Sequence, residues 1–184
     1  MNVLTTLKTC LATAALLAIA AQSHAANMDK AAFKTEKDRV SAEFKAEKSA
    51  CGSMAGNAKD VCLEQAKARE KVALAELEFK NSGKPADENK LMKVRAETSY
   101  AVAREKCDDL AGNKKDVCRQ EAKTAETKAL ADAKMAQAVG EARSDGAQVK
   151  RDAEYKLAIE KCDAMAGDAK DNCVKSAKST FGKS

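Results

Sequence analysis

Six cysteines, arranged as three identical pairs, are the residues of this chain best suited to chemistry. Ten residues separate the members of each pair, and the pairs are Cys51 with Cys62, Cys107 with Cys118, and Cys162 with Cys173. Cysteine thiolates can bind zinc, exchange electrons as a dithiol, or be oxidised to a structural disulfide. These three possibilities place different demands on the surrounding sequence.

The metal and redox alternatives fit the sequence poorly. Zinc takes four ligands, each pair offers two, and the only histidine, His24, lies in a segment that we expect to be removed. Redox-active pairs usually form a Cys-x-x-Cys motif, with far fewer intervening residues than ten. Six cysteines allow 15 disulfide connectivities, of which we favour the one that joins each pair internally.

Each cysteine pair is embedded in the same helix-turn-helix pattern. A glycine follows the first cysteine by five residues and suits the left-handed conformation that ends a helix. The next residue is a predicted N-cap, and an aspartate three positions later completes a variant capping box. These residues are Gly56, Gly112 and Gly167, then Asn57, Asn113 and Asp168, then Asp60, Asp116 and Asp171. The pattern predicts a turn of one or two residues, with the two cysteines opposite each other across an antiparallel hairpin.

The helical arms carry two further patterns. An aromatic residue precedes each first cysteine by seven positions, namely Phe44, Tyr100 and Tyr155. We expect these rings to be core plugs of the hairpins, although they could also stack on a ligand. After the second turn, Cys118 begins a stripe of small residues that continues through Ala122, Ala125, Ala129, Ala133 and Ala136. Such a stripe predicts close packing against a neighbouring helix.

Two breaks separate the repeats. Residues 81–85, Asn-Ser-Gly-Lys-Pro, interrupt any helix because proline cannot continue one. Residues 140–146 contain two glycines, and we predict a loop there, the alternative being one continuous helix of about 50 residues. The expected organisation is a signal peptide over 1–25 and hairpin repeats over 26–80, 86–139 and 147–184. The predicted fold is all-α, with three disulfide-stapled antiparallel helical hairpins forming an elongated bundle or repeat array.

The first 25 residues have the features of a secretory signal peptide. Lys8 is followed by an apolar stretch over 10–21 and by a Ser-His-Ala cleavage site. The apolar stretch is shorter than the roughly 20 residues that a membrane-spanning helix needs. We therefore expect export to the periplasm or the exterior, without stable membrane insertion after cleavage.

Composition argues against several functions. The net charge is only +5, with basic and acidic residues interleaved, so we expect no nucleic-acid partner. Without histidine in the mature chain, no Ser-His-Asp or Cys-His set can form, and we predict no enzymatic activity and no cofactor. The carboxylate pairs Glu43/Glu47 and Glu105/Asp109 could meet a cation, but we predict that they form a solvated face and that the chain binds no metal.

The repeat resembles that of a group of exported bacterial proteins. They carry Lys-Cys-Asp-x-Leu/Met-Ala-Gly-Asn/Asp-x-Lys-Asp-x-Cys units in helices rich in Ala, Lys and Glu, and residues 106–123 and 161–178 match this pattern closely. The first repeat departs from it, with Ala50, Cys51 and Gly52 at its start. Such proteins are sometimes labelled TolA-like. The likeness to TolA is compositional, so TolA's function is not carried over.

These observations lead us to expect a non-catalytic envelope protein with a structural or protein-interaction role. We include in this expectation a role during stress. An unknown envelope protein is its expected partner, and its oligomeric state stays open. Two alternatives remain, a protective or chaperone-like helical protein and a protein that sequesters divalent cations or other ligands.

Overall fold

A computed structural model describes residues 28–183. The predicted signal peptide, with Cys10 and His24, lies outside these residues. Over residues 28–183, no helix combines the length and the apolar character needed to cross a membrane.

The described chain is a series of five helices, in agreement with the predicted all-α fold. The helices are α1 (Lys30–Ala50), α2 (Gly56–Ser82), α3 (Pro85–Lys106), α4 (Gly112–Asp163) and α5 (Gly167–Phe181). Each helix packs mainly against its neighbours in sequence, α1 on α2, α2 on α3, α3 on α4, and α4 on α5. The result is a serial array of antiparallel helices, and the three cysteine pairs lie at the α1–α2, α3–α4 and α4–α5 turns.

The predicted break at residues 81–85 is confirmed. Gly83 caps α2 in the left-handed conformation with φ of 61°, and its N–H donates to the Phe79 carbonyl at 2.8 Å. Pro85 is the first residue of α3, where its missing N–H would have no intrahelical partner in any case. The chain therefore reverses direction between α2 and α3 without a disulfide.

The cysteine turns differ from the prediction in length and in capping. The helix before each of the first two turns tightens into a short 3-10 segment that begins at the first cysteine, so five residues separate α1 from α2. Gly56, Gly112 and Gly167 have the predicted left-handed φ, between 55° and 57°. However, the following helices begin on these glycines, so the N-cap prediction for the next residues is wrong. The N-cap position holds an alanine, which makes no side-chain cap hydrogen bond.

The predicted loop at residues 140–146 is wrong, because α4 runs unbroken through both glycines and across the expected boundary between the second and third repeats. Each glycine costs only about 1 kcal/mol relative to alanine in a helix. Glu141, Ala142 and Arg143 favour helix. Side-chain hydrogen bonds from Gln137 to Glu141 and from Gln148 to Asp152, both 2.8 Å, flank the segment. With 52 residues, α4 is about 78 Å long.

Replacing Gly140 by alanine tests this continuity. A methyl group there would meet no atom within 4 Å, so Gly140→Ala should stabilise α4 locally by about 1 kcal/mol. Amide hydrogen exchange over residues 141–150 should slow about fivefold. Gly112→Ala is the control, because its φ of 55° strains any residue with a Cβ, and it should destabilise the protein. Unchanged exchange in Gly140→Ala would contradict a continuous helix.

Candidate functional site

The three cysteine pairs form the predicted disulfides. The Cα–Cα distances are 5.7, 5.7 and 5.6 Å for Cys51–Cys62, Cys107–Cys118 and Cys162–Cys173, all within the range that a disulfide requires. Because such bonds persist in oxidising compartments, they indicate a non-cytoplasmic environment for the chain. No thiolate is left on these six sulfurs to bind zinc or to act as a nucleophile.

The first cysteine of each pair is also the centre of the local core. Cys51, Cys107 and Cys162 have no exposed surface and are the largest fully buried side chains among the described residues. The remaining core is mostly alanine, with few larger side chains such as Val40, and the second cysteine of each pair is half-buried. The disulfides therefore provide packing as well as a covalent link.

An ion pair crosses the hairpin tip in the second and third repeats, and the sequence analysis missed it. Asp108 lies 2.9 Å from Lys115 and 2.6 Å from Arg119, and Asp163 lies 2.9 Å from Lys170. Hydrogen bonds from Lys115 and Arg119 lower the pKa of Asp108 below its ordinary value. In the first repeat, Gly52 replaces this aspartate. The repeat contained a signal for this ion pair. In Lys-Cys-Asp the aspartate directly follows the first cysteine, and in Lys-Asp-x-Cys the lysine precedes the second cysteine by three residues.

The aromatic side chains are not the buried plugs that we predicted, since Phe44, Tyr100 and Tyr155 are all half-buried. Tyr155 packs edge to face on Phe181 of α5 with ring centroids 6.0 Å apart. Tyr100 lies beneath Lys123, whose Nζ is 5.1 Å from the ring centroid. These rings cover the sides of the hairpins, while cysteine and alanine fill the positions closest to the neighbouring helix.

The Glu43/Glu47 pair is engaged with basic residues, whereas Glu105 and Asp109 form no ion pair within residues 28–183. Glu43 pairs with Arg39, and both carboxylate oxygens of Glu47 accept from Arg69 Nε, at 2.8 and 2.9 Å. The Glu105 backbone carbonyl accepts a hydrogen bond from the Asn57 side chain at 3.2 Å, which ties the first turn to the end of α3. Within residues 28–183, no group of three or more His, Cys, Asp or Glu side chains is arranged to hold a metal ion.

Concave surfaces lie on both sides of α3, against α2 and against α4, and together we call them the trough. It comprises a groove of about 630 Å³ between α2 and α3 and a groove of about 650 Å³ between α3 and α4. Ser99 and Ala103 of α3 line both grooves, so the two grooves adjoin along α3. The floor is formed by small apolar side chains, among them Val72, Ala73, Val102, Ala129 and Ala133.

The predicted alanine stripe of α4 forms one wall of the trough. Ala122 and Ala133 are buried against α3, whereas Ala125 and Ala136 remain exposed and line the groove. The stripe is thus only partly used by packing within the chain.

Charged groups stand at the edge of the trough. Arg95 bridges to Glu76 of α2 at 2.6 Å. Glu126 is buried, and Lys123 compensates its charge at 2.6 Å. An apolar floor between charged edges is the kind of surface on which an amphipathic helix packs.

The fold and these surfaces define an all-α, disulfide-stapled helical array with an open apolar trough. Comparison with protein-family models, with curated proteins and with solved structures found no match to this chain.

The ion pair at Asp108 predicts a pH-dependent contribution to stability. Because the folded-state pKa of Asp108 is lowered, its contribution is present above the unfolded-state pKa of about 3.9 and is lost as the pH falls through the folded-state pKa. Asp108→Asn should therefore lower the melting temperature at about pH 7 and have a smaller effect at about pH 2. Asp109→Asn is the control, since Asp109 forms no ion pair among the described residues. An equal loss at both pH values would contradict the ion-pair assignment.

The third disulfide should matter most for α5. This helix has only 15 residues and a single buried side chain, Ala177, and helices of that length are marginal alone. Removing the bridge with Cys162→Ala/Cys173→Ala should cost about 3 kcal/mol and speed amide exchange in α5 about a hundredfold. The matched variant Cys51→Ala/Cys62→Ala should leave α5 protected. Equal amide exchange rates in α5 for the two variants would show that each disulfide does not stabilise mainly its own hairpin.

Proposed function

We propose that this protein is a non-catalytic, exported helical protein with a structural or protein-interaction role in the cell envelope. Periplasmic or secreted localisation accords with the disulfides and with the predicted signal peptide. The observation that carries the interaction role is the trough, because its apolar floor is left open by all five helices of the described chain.

The chemistry of the trough favours an amphipathic helix as its ligand. Alanine and serine on α3 and α4 allow the backbone of a bound helix to approach closely, as small side chains do where helices pack. Val72 and Val102 offer apolar contact in one groove, and Met92 does so in the other. Both basic and acidic residues line the grooves, so the partner should present both charges beside its apolar stripe.

The disulfides support this role by fixing the trough. The Cys107–Cys118 bridge holds the α3–α4 end, and the Asn57–Glu105 hydrogen bond connects α2 to α3 near the same end. A site that is already formed loses less conformational entropy on binding. We therefore propose that the rigid hairpins hold the trough in the conformation that binds the partner.

Site-specific photo-crosslinking in cells tests the proposal. A photoreactive side chain at Ser99, which is exposed and lines both grooves, should yield an adduct with a partner protein that is distinct from a dimer of the chain. The same group at Ser49, which is exposed at the end of α1 outside both grooves, is the control and should give no such adduct. Ala103→Arg should abolish the Ser99 adduct by filling the floor. Equal crosslinking from both serines, or none from Ser99, would contradict the proposal.

A further inference from the structure

A second apolar surface lies on α4, away from the trough. It consists of seven residues, each three or four positions after the one before. We call it the α4 stripe, and its members are Met135, Val139, Ala142, Gly146, Val149, Ala153 and Leu157. All seven are exposed, and the four largest are exposed by 62, 44, 68 and 56%. The steps alternate between four and three as far as Ala153, as in the seam of a coiled coil, and a final step of four reaches Leu157 on the same helical face.

Apart from Val139, which borders a groove at the start of α3, the α4 stripe faces away from both helices that pack on α4. The α3 contacts include a buried hydrogen bond from Asn89 to the Ala133 carbonyl at 2.8 Å, and the α5 contacts include Tyr155 against Phe181. Tyr155 follows Gly146 by nine residues, which is half a turn round the helix. Residues 134–146 are all exposed, and within the described chain only the start of α3 borders this part of α4, along one side of residues 136–143.

The charges beside the α4 stripe indicate what would cover it. Arg143 and Lys150 flank one side of the stripe, and Asp145 and Asp152 flank the other. Asp152 is already bound by Lys183 at 2.7 Å, whereas Asp145 and Lys150 form no ion pair among residues 28–183. Two antiparallel copies would place like-charged sides together. Two parallel copies in register would place Asp145 of one beside Lys150 of the other, at the spacing of five residues that pairs charges across parallel coiled coils.

We propose that the α4 stripe is the interface of a parallel, in-register dimer with a second copy of this chain. The same face serves both copies, as a two-fold interface requires, and Asp145 and Lys150 form two symmetry-related ion pairs. Ala142, Gly146 and Ala153 let the two α4 helices approach closely, while methionine, valine and leucine side chains pack on either side of Gly146. The seam spans about 33 Å, and the α3 and α5 helices of each copy lie on its outer side.

Crosslinking of single added cysteines tests both the dimer and its direction. A short bismaleimide applied to the oxidised protein leaves the native disulfides intact. In a parallel dimer, Met135→Cys and Leu157→Cys should each crosslink when present alone. In an antiparallel dimer centred on Gly146, only a mixture of the two variants would crosslink, which would overturn the proposal. Lys134→Cys, one residue off the stripe, is the control and should give no dimer above background.

Charge reversal tests the ion pairs in the same assay and by sedimentation equilibrium. Asp145→Lys or Lys150→Asp alone should raise the dimer dissociation constant about fivefold, since two exposed pairs are lost. The double variant Asp145→Lys/Lys150→Asp should restore the original value. A chain that stays monomeric at all concentrations would refute the dimer, and single and double variants with equal constants would refute the Asp145–Lys150 ion pairs and the parallel register that they support. Ser99 lies outside this interface, so its crosslinks report on the trough independently.

Discussion

Each cysteine turn of this protein is crossed by a disulfide whose first sulfur is completely buried. Aromatic residues make up only 3% of the chain, and much of the surface between the helices is alanine, which contributes little apolar area. In the chain-entropy account, closing a loop of this size stabilises a fold by about 3 kcal/mol, and three such bridges are comparable to the whole stability of many domains. The bridges also explain why α1 and α5, at the two ends of the array, remain docked although each buries few large side chains.

The second constraint is the continuity of α4. This helix carries α3 near one end and α5 near the other, so it links two hairpins that have few other contacts with each other. Its middle segment is exposed to solvent on most sides and depends on helix propensity and on side-chain pairs within the helix. Both proposals rest on this arrangement. One wall of the trough lies on the α3 side of α4, and the proposed dimer interface lies on the opposite face.

The sequence was sufficient to predict the hairpins, because cysteine spacing, left-handed glycines and Pro85 are local signals with defined geometry. It was insufficient at residues 140–146, where two glycines and the helix formers around them nearly balance and side-chain pairs within the helix decide the outcome. Asn57 was predicted to cap its own helix, yet its amide binds the carbonyl of Glu105, a tertiary contact that local patterns do not contain. The ion pairs at the hairpin tips could have been predicted from the repeat pattern. The trough was not, because it depends on how α2, α3 and α4 are placed around Ser99 and Ala103.

The central claim is that disulfides within the hairpins hold a fold whose core is thin. The most direct measurement is far-ultraviolet circular dichroism of the mature protein, melted once oxidised and once reduced and alkylated. The oxidised protein should be highly helical and melt cooperatively, and the reduced protein should lose most of its helicity and its cooperative transition, since about 9 kcal/mol of constraint is removed. Matching melts for the two forms would contradict the claim and assign the stability to packing alone.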